Sequence, residues 1–173
     1  MTILETQRTY LREFTGADAS DLLRILSDGR AMQFAPIAPT NDLAVAQGFI
    51  ASHIRNYAQH GFGAWAVILK DGDQFVGQAG LLPQESGVEL FYSLVPEYWH
   101  QGIATQVAAA CRDHAFQKLG LTRLISVIHP DNAGAIGVAR KVGMSAKGVI
   151  RLWNRADELY EIQRGSENLA PDL

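Results

Sequence analysis

Residues 90–119 read LFYSLVPEYWHQGIATQVAAACRDHAFQKL, and the hydrophobic period changes in the middle of them. Glu89 to Val95 carries aromatic and β-branched side chains at strand length, whereas Ile103, Val107 and Cys111, with Ala104, Ala108, Ala115 and Leu119, recur at helical spacing. A strand therefore runs into a helix, and His100-Gln101-Gly102-Ile103-Ala104-Thr105 is the joint. A helix start leaves its first N–H groups unpaired at the positive end of the macrodipole, so it attracts any anion that can come close. Gly102, Ala104 and Thr105 keep that approach open, although the same glycine would equally serve an ordinary strand-to-helix turn.

Upstream, Thr9 to Phe14 alternates as a strand, and Thr15-Gly16-Ala17-Asp18 carries capping residues for a helix at Asp21–Leu26. The loop from Phe34 to Asn41 holds two prolines, and Asn41 or Asp42 caps a second helix whose buried side is expected at Val45, Phe49, Ile50, Ile54 and Tyr57. Gly61 and Gly63 end it. Ala64 to Leu69 and Gln74 to Leu82 then flank the turn Asp71-Gly72-Asp73, and Pro83 to Gly87 returns the chain into the opening strand, which makes an antiparallel meander.

Downstream, Gly120 closes the central helix and Leu124 to Ile128 is a short interior strand, so strand, helix and strand imply a parallel crossover. His129-Pro130-Asp131-Asn132 leads into a helix with Ala135, Ile136, Ala139 and Val142 on one face, ended by Arg140, Lys141 and Gly143. Val149 to Trp153 and Glu158 to Ile162 form a closing hairpin. The sum is a mixed α/β fold of about seven strands, mostly antiparallel, and about four helices, in one domain over 1–165 with a tail at 166–173.

With 173 residues and 47% hydrophobic content, one well-buried core is expected. Cys111 is the single cysteine, which rules out a disulfide framework and a cysteine-rich zinc site, and fits a reducing compartment. The histidines share no ligand spacing, so no metal is expected. A net charge of -3 argues against nucleic acid, and the absence of a signal-like or spanning segment argues against a membrane and for the cytoplasm.

Two turns, Tyr98-Trp99-His100-Gln101-Gly102-Ile103-Ala104-Thr105 and Asn132 through Gly143-Met144, together resemble the GNAT N-acetyltransferase superfamily. The branch they are most similar to is the ribosomal-protein N-terminal acetyltransferases, with their Trp-Gly-x-Gly-x-Ala-Thr turn and an Asn-x-x-Ser helix ending in Lys-x-Gly-Met or Lys-x-Gly-Phe. The resemblance implies a sheet splayed between its fourth and fifth strands, at Val95 and Ile128, with acetyl-CoA in the opening. It implies that the backbone of His100, Gln101, Gly102, Ile103, Ala104 and Thr105 holds pyrophosphate, that Ser93 and Leu94 pair with pantetheine, and that the Leu94 amide faces the thioester oxygen. Asn132 would bond the pantetheine arm, and Arg140 a CoA phosphate. Three departures stand out: His100 replaces a glycine, Ala135 a serine, and Ala139 a tyrosine found in other branches.

Attack of an amine on a thioester needs a neutral nitrogen, a donor for the oxyanion and a fate for the thiolate. An α-amino group has a pKa of about 8, so a modest base suffices. Glu89, in an otherwise apolar strand and on one face with Phe91 and Ser93, is the first candidate, and Glu161 the second. The expected acceptor is a primary amine, on a small molecule or a protein N-terminus, lying among 34–41, Trp65, Tyr92, Trp153 and Asp157. A non-catalytic acyl-CoA binding module is the alternative, motivated by Ala135 and Ala139. A monomer and a homodimer are both open, the closing hairpin offering an edge.

Overall fold

The strands are β1 (Thr2–Glu5), β2 (Thr9–Arg12), β3 (Ala64–Leu69), β4 (Phe75–Gln84), β5 (Gly87–Leu94), β6 (Arg123–Ile128), β7 (Ser145–Leu152) and β8 (Arg155–Gln163). The helices are α1 (Ala19–Leu26), α2 (Leu43–His60), α3 (Ile103–Gln117) and α4 (Ala133–Lys141). This computed structural model describes residues 1–152 and 154–166; Trp153 and the tail at 167–173 lie outside the described residues. The strands join in one sheet in the order β1-β2-β3-β4-β5-β6-β8-β7, antiparallel throughout except β5 with β6. The sequence accounts for seven of the eight, the extra one being β1, too short and too exposed to carry an apolar signature.

Each face of the sheet buries its own cluster. On one side Leu22, Ile25 and Leu26 of α1 and Ala46 and Ile50 of α2 pack on Ala66, Ile68 and Phe75. On the other, Ile103, Val107, Ala108, Cys111 and Ala115 of α3 and Ala139 of α4 pack on Leu81, Leu90, Leu94, Leu124 and Tyr160. Full burial of a Leu or Ile side chain contributes about 1.5–3 kcal/mol, so these stripes fix which helix covers which face.

The rotation of α2 differs from expectation. Its buried residues are Ala46, Ile50 and His53, while Phe49 and Ile54 are 38% and 45% exposed. Apolar residues surround this helix on all sides, so their spacing alone does not orient it. Contact does: the His53 ring stacks on Phe14 at 5.5 Å, and burial pushes its pKa down to about 4, so a neutral imidazole completes the core.

Where β5 and β6 run side by side they share one register pair, Glu89 with Ile125, and beyond it they part. The splay therefore lies between the strands ending at Leu94 and Ile128. β1 and β7 are the two edges of the sheet, and on β7 Val149 is 70% exposed. No helix among the described residues is long and apolar enough to cross a membrane.

Candidate active site

The wall of the cleft follows from strand alternation. The Val95 N–H donates to the Val76 carbonyl across β4, and Gly77 faces Leu94 in register. In an antiparallel pair bonding and non-bonding positions alternate, so Ser93 is tied to β4 opposite Gln78, while the main chain of Tyr92 and Leu94 turns to the opening. Two side chains agree with this parity: Trp99 Nε1 donates to the Leu94 carbonyl at 2.9 Å, and Ser126 Oγ donates to the Leu90 carbonyl at 2.7 Å. Ser93, expected beside pantetheine, thus has its main chain turned to β4, and it is Tyr92 and Leu94 whose peptide groups face the opening. The Leu94 amide does face the cleft.

Glu89 stands at the apex. Its Oε1 accepts from the Val127 N–H at 3.4 Å, and its Oε2 accepts from Gln84 Nε2 at 2.8 Å. With Ser126 holding the Leu90 carbonyl, these contacts take up backbone groups that a continued ladder would use. Burial raises the Glu89 pKa above the ordinary carboxylate range, against the opposing pull of its two donors. A carboxyl so placed is more basic than an exposed one.

The mouth is the start of α3. Gly102 is the N-cap, left-handed at φ 77°, with no side chain capping the helix, and the first intrahelical bond runs from the Gln106 N–H to the Gly102 carbonyl. The N–H groups of Ile103, Ala104 and Thr105 thus have no helical acceptor, and the exposed Gly102 lets an anion approach them. Arg8, 93 residues upstream of Gln101, donates through Nη2 to the Gln101 carbonyl, which pins the turn and brings a cation beside it. Sequence reasoning misses Arg8, since a long-range side chain to backbone contact leaves no local signal.

His100 is exposed and left-handed, at φ 57°. This conformation is why a glycine suits the position: a residue with a Cβ there costs roughly 1–2 kcal/mol, partly regained through lower unfolded-state entropy. His100→Gly is therefore expected to leave the melting temperature unchanged or raise it by up to about 3 °C, at 2–4 °C per kcal/mol. A fall in a thermal melt would mean that the imidazole makes a stabilising contact.

Across the cleft, the Asn132 side chain caps α4 by accepting from the Ala135 N–H at 3.1 Å, leaving its NH₂ group for another partner. The Tyr92 hydroxyl spans the opening and donates to the Ala135 carbonyl at 2.9 Å. Arg140 is exposed in the last turn of α4. It lies eight residues, or about 12 Å, along the helix from Asn132, and there it acts on the Tyr160 hydroxyl.

Other candidates separate from the cleft. Glu161 pairs with Arg123 at 2.6 Å, which holds its carboxyl below the ordinary range, so it is a weaker base than Glu89 and serves as an ion-pair partner. Trp65 is buried and meets His114 of α3 edge-on at 5.7 Å, so it belongs to the core rather than an acceptor pocket. Asp157 is buried and paired with Arg155 at 2.7 Å. His129 accepts from the Asp131 N–H through Nδ1 and stacks on Phe34 at 5.1 Å, which brings the 34–41 loop to the end of β6. No group of three or more metal-ligating side chains occurs among the described residues.

Comparison with known proteins adds to this geometry. The description "Acetyltransferase (GNAT) domain" fits residues 8–145. YoaA of Bacillus subtilis (strain 168), named an uncharacterised N-acetyltransferase, is 26% identical over 152 residues, 86% of each chain's length being close to covered: 86% of this chain and 86% of YoaA. An acetyltransferase crystal structure from Agrobacterium tumefaciens str. C58 superposes with a TM-score of 0.83 at 26% identity, covering 95% of both chains. The spermidine N-acetyltransferase of Vibrio cholerae, crystallised with CoA and spermine, shares the fold at a TM-score of 0.77 and 15% identity, over 92% of this chain and 98% of its own. An uncapped helix start at the mouth of a split sheet and a domain match over most of the length lead to one conclusion: the chain belongs to the GNAT acetyltransferase family.

Proposed function

We propose that the protein transfers the acetyl group of acetyl-CoA to a primary amine, on a small molecule or a protein N-terminus, by direct attack through a tetrahedral intermediate. The observation that carries this is the alignment, along one cleft, of the uncapped α3 start, the cleft-facing Leu94 amide and the half-buried Glu89 carboxylate. A neighbour of the same fold that binds CoA supports the donor's identity.

In this reading the N–H groups of Ile103, Ala104 and Thr105, with Gly102 and Gln101, receive the pyrophosphate, with His100 and Arg8 at the rim. Pantetheine runs in from the mouth toward Glu89, pairing with Tyr92 and Leu94 and with the free NH₂ of Asn132. Glu89, directly or through one water, takes the proton that the attacking nitrogen sheds, and the Leu94 amide donates to the oxyanion. Since an α-amino group needs little help to lose its proton, this base is matched to such an acceptor.

The test is incubation with acetyl-CoA and a panel of small amines and N-terminal peptides, with mass detection of the acetylated product and measurement of released CoA. The expected result is stoichiometric CoA and amide for at least one amine. Background release with every amine, alongside tight acetyl-CoA binding, would turn the reading to a binding module.

A further inference from the structure

We propose that Tyr92 is the proton donor to the departing sulfur of CoA, an inference that rests on the function proposed above. Successive strand residues point to opposite faces, so Glu89 and Tyr92, three apart, stand on opposite sides of the sheet. Tyr92 packs with the cluster formed by α3 and α4, and its hydroxyl crosses the cleft to the Ala135 carbonyl at 2.9 Å. A thioester lying between β5 and β6 therefore has the carboxylate on one side and the phenol on the other. Other hydroxyls near that side are engaged elsewhere: Ser126 Oγ donates to the Leu90 carbonyl, and the Tyr160 hydroxyl to Glu158 at 2.9 Å.

The Ala135 carbonyl is a neutral backbone acceptor, so the phenol loses little by turning to a developing thiolate, a charged acceptor that forms a stronger bond. The step balances as follows. Nitrogen forms the C–N bond and gives one proton to Glu89; the tetrahedral intermediate collapses, the C–S bond breaks with its electron pair on sulfur, and the Tyr92 proton passes to sulfur. Products are the amide and CoA thiol. The phenolate regains its proton from water, and Glu89 releases its own to water. Burial raises the phenol's pKa above the ordinary value, so Tyr92 carries its proton at every working pH.

The test compares parent and Tyr92→Phe with two donors, acetyl-CoA and its selenoester analogue, whose selenolate leaves without needing a proton. With acetyl-CoA the variant is expected to lose about 10²-fold in kcat with KM for acetyl-CoA little changed, the range for loss of a positioned acid. With the selenoester it should run within a few-fold of the parent. Equal losses with both donors would assign Tyr92 a structural role and overturn the proposal. Parental activity of the variant with acetyl-CoA would also overturn it, while leaving the transferase reading intact. A parent that releases CoA to no amine would overturn both.

Discussion

Glu89→Gln should lower kcat by about 10²- to 10³-fold while acetyl-CoA binding, read by calorimetry, is retained. The size follows from removing a positioned base, which is worth 10²- to 10⁴-fold, and the amide keeps the volume of the side chain. It also keeps an oxygen able to accept from the Val127 N–H, so the apex of the cleft stays closed. The sign of the pH dependence is set by burial. A carboxyl acts as a base only when ionised, and burial raises its pKa, so kcat/KM should climb with pH through a value above the usual glutamate range and then level. In the variant this limb disappears. An unchanged rate and profile in Glu89→Gln would remove Glu89 from the chemistry, whatever the acceptor.

Gly77→Ala should both loosen the fold and slow the reaction. A Cβ at Gly77 would lie 2.5 Å from the Ser93 carbonyl oxygen and 2.9 Å from Leu94 Cα, and both are backbone atoms that cannot rotate aside. Forcing a methyl into packed surroundings costs roughly 1–3 kcal/mol, so a melting temperature lower by about 2–12 °C is expected. The displaced segment is the one whose amide faces the cleft, and a shift near 1 Å at such a group costs about 10²-fold in rate. Gly48→Ala serves as the control, since nothing lies within 4 Å of its added Cβ in α2. A Gly77 variant with normal kcat, measured below its melting point, would show that the Leu94 amide does not need its exact place.

The fold was legible where residues carry period or punctuation. Gly102, Gly120 and Gly143 end or begin elements where the structure has left-handed turns, and Asn132 and Asp42 cap the helices that follow them. Less legible was anything decided by parity or by distance along the chain. Whether Ser93 or Tyr92 faces the opening depends on which edge of β5 bonds to β4, and a strand at least partly covered on both faces hides that choice. Arg8 meets Gln101 only through tertiary folding. Glu161 looks like a free carboxylate in its strand until Arg123, 38 residues away, is brought beside it. The replacement of glycine by His100 is a matter of backbone torsion: its φ is one that glycine adopts without strain.

The single register pair joining β5 to β6 also divides the molecule in a folding sense. From β1 to β5 every strand pairs with its successor in the chain, and β6, β7 and β8 form a second antiparallel group, so most strand pairing is internal to one group or the other. The weak seam between them is spanned by α3, which packs on β4 and β5 and touches α4. Backbone hydrogen exchange should therefore see two cooperative units with a shared helix, and the opening is the boundary at which sub-global unfolding begins.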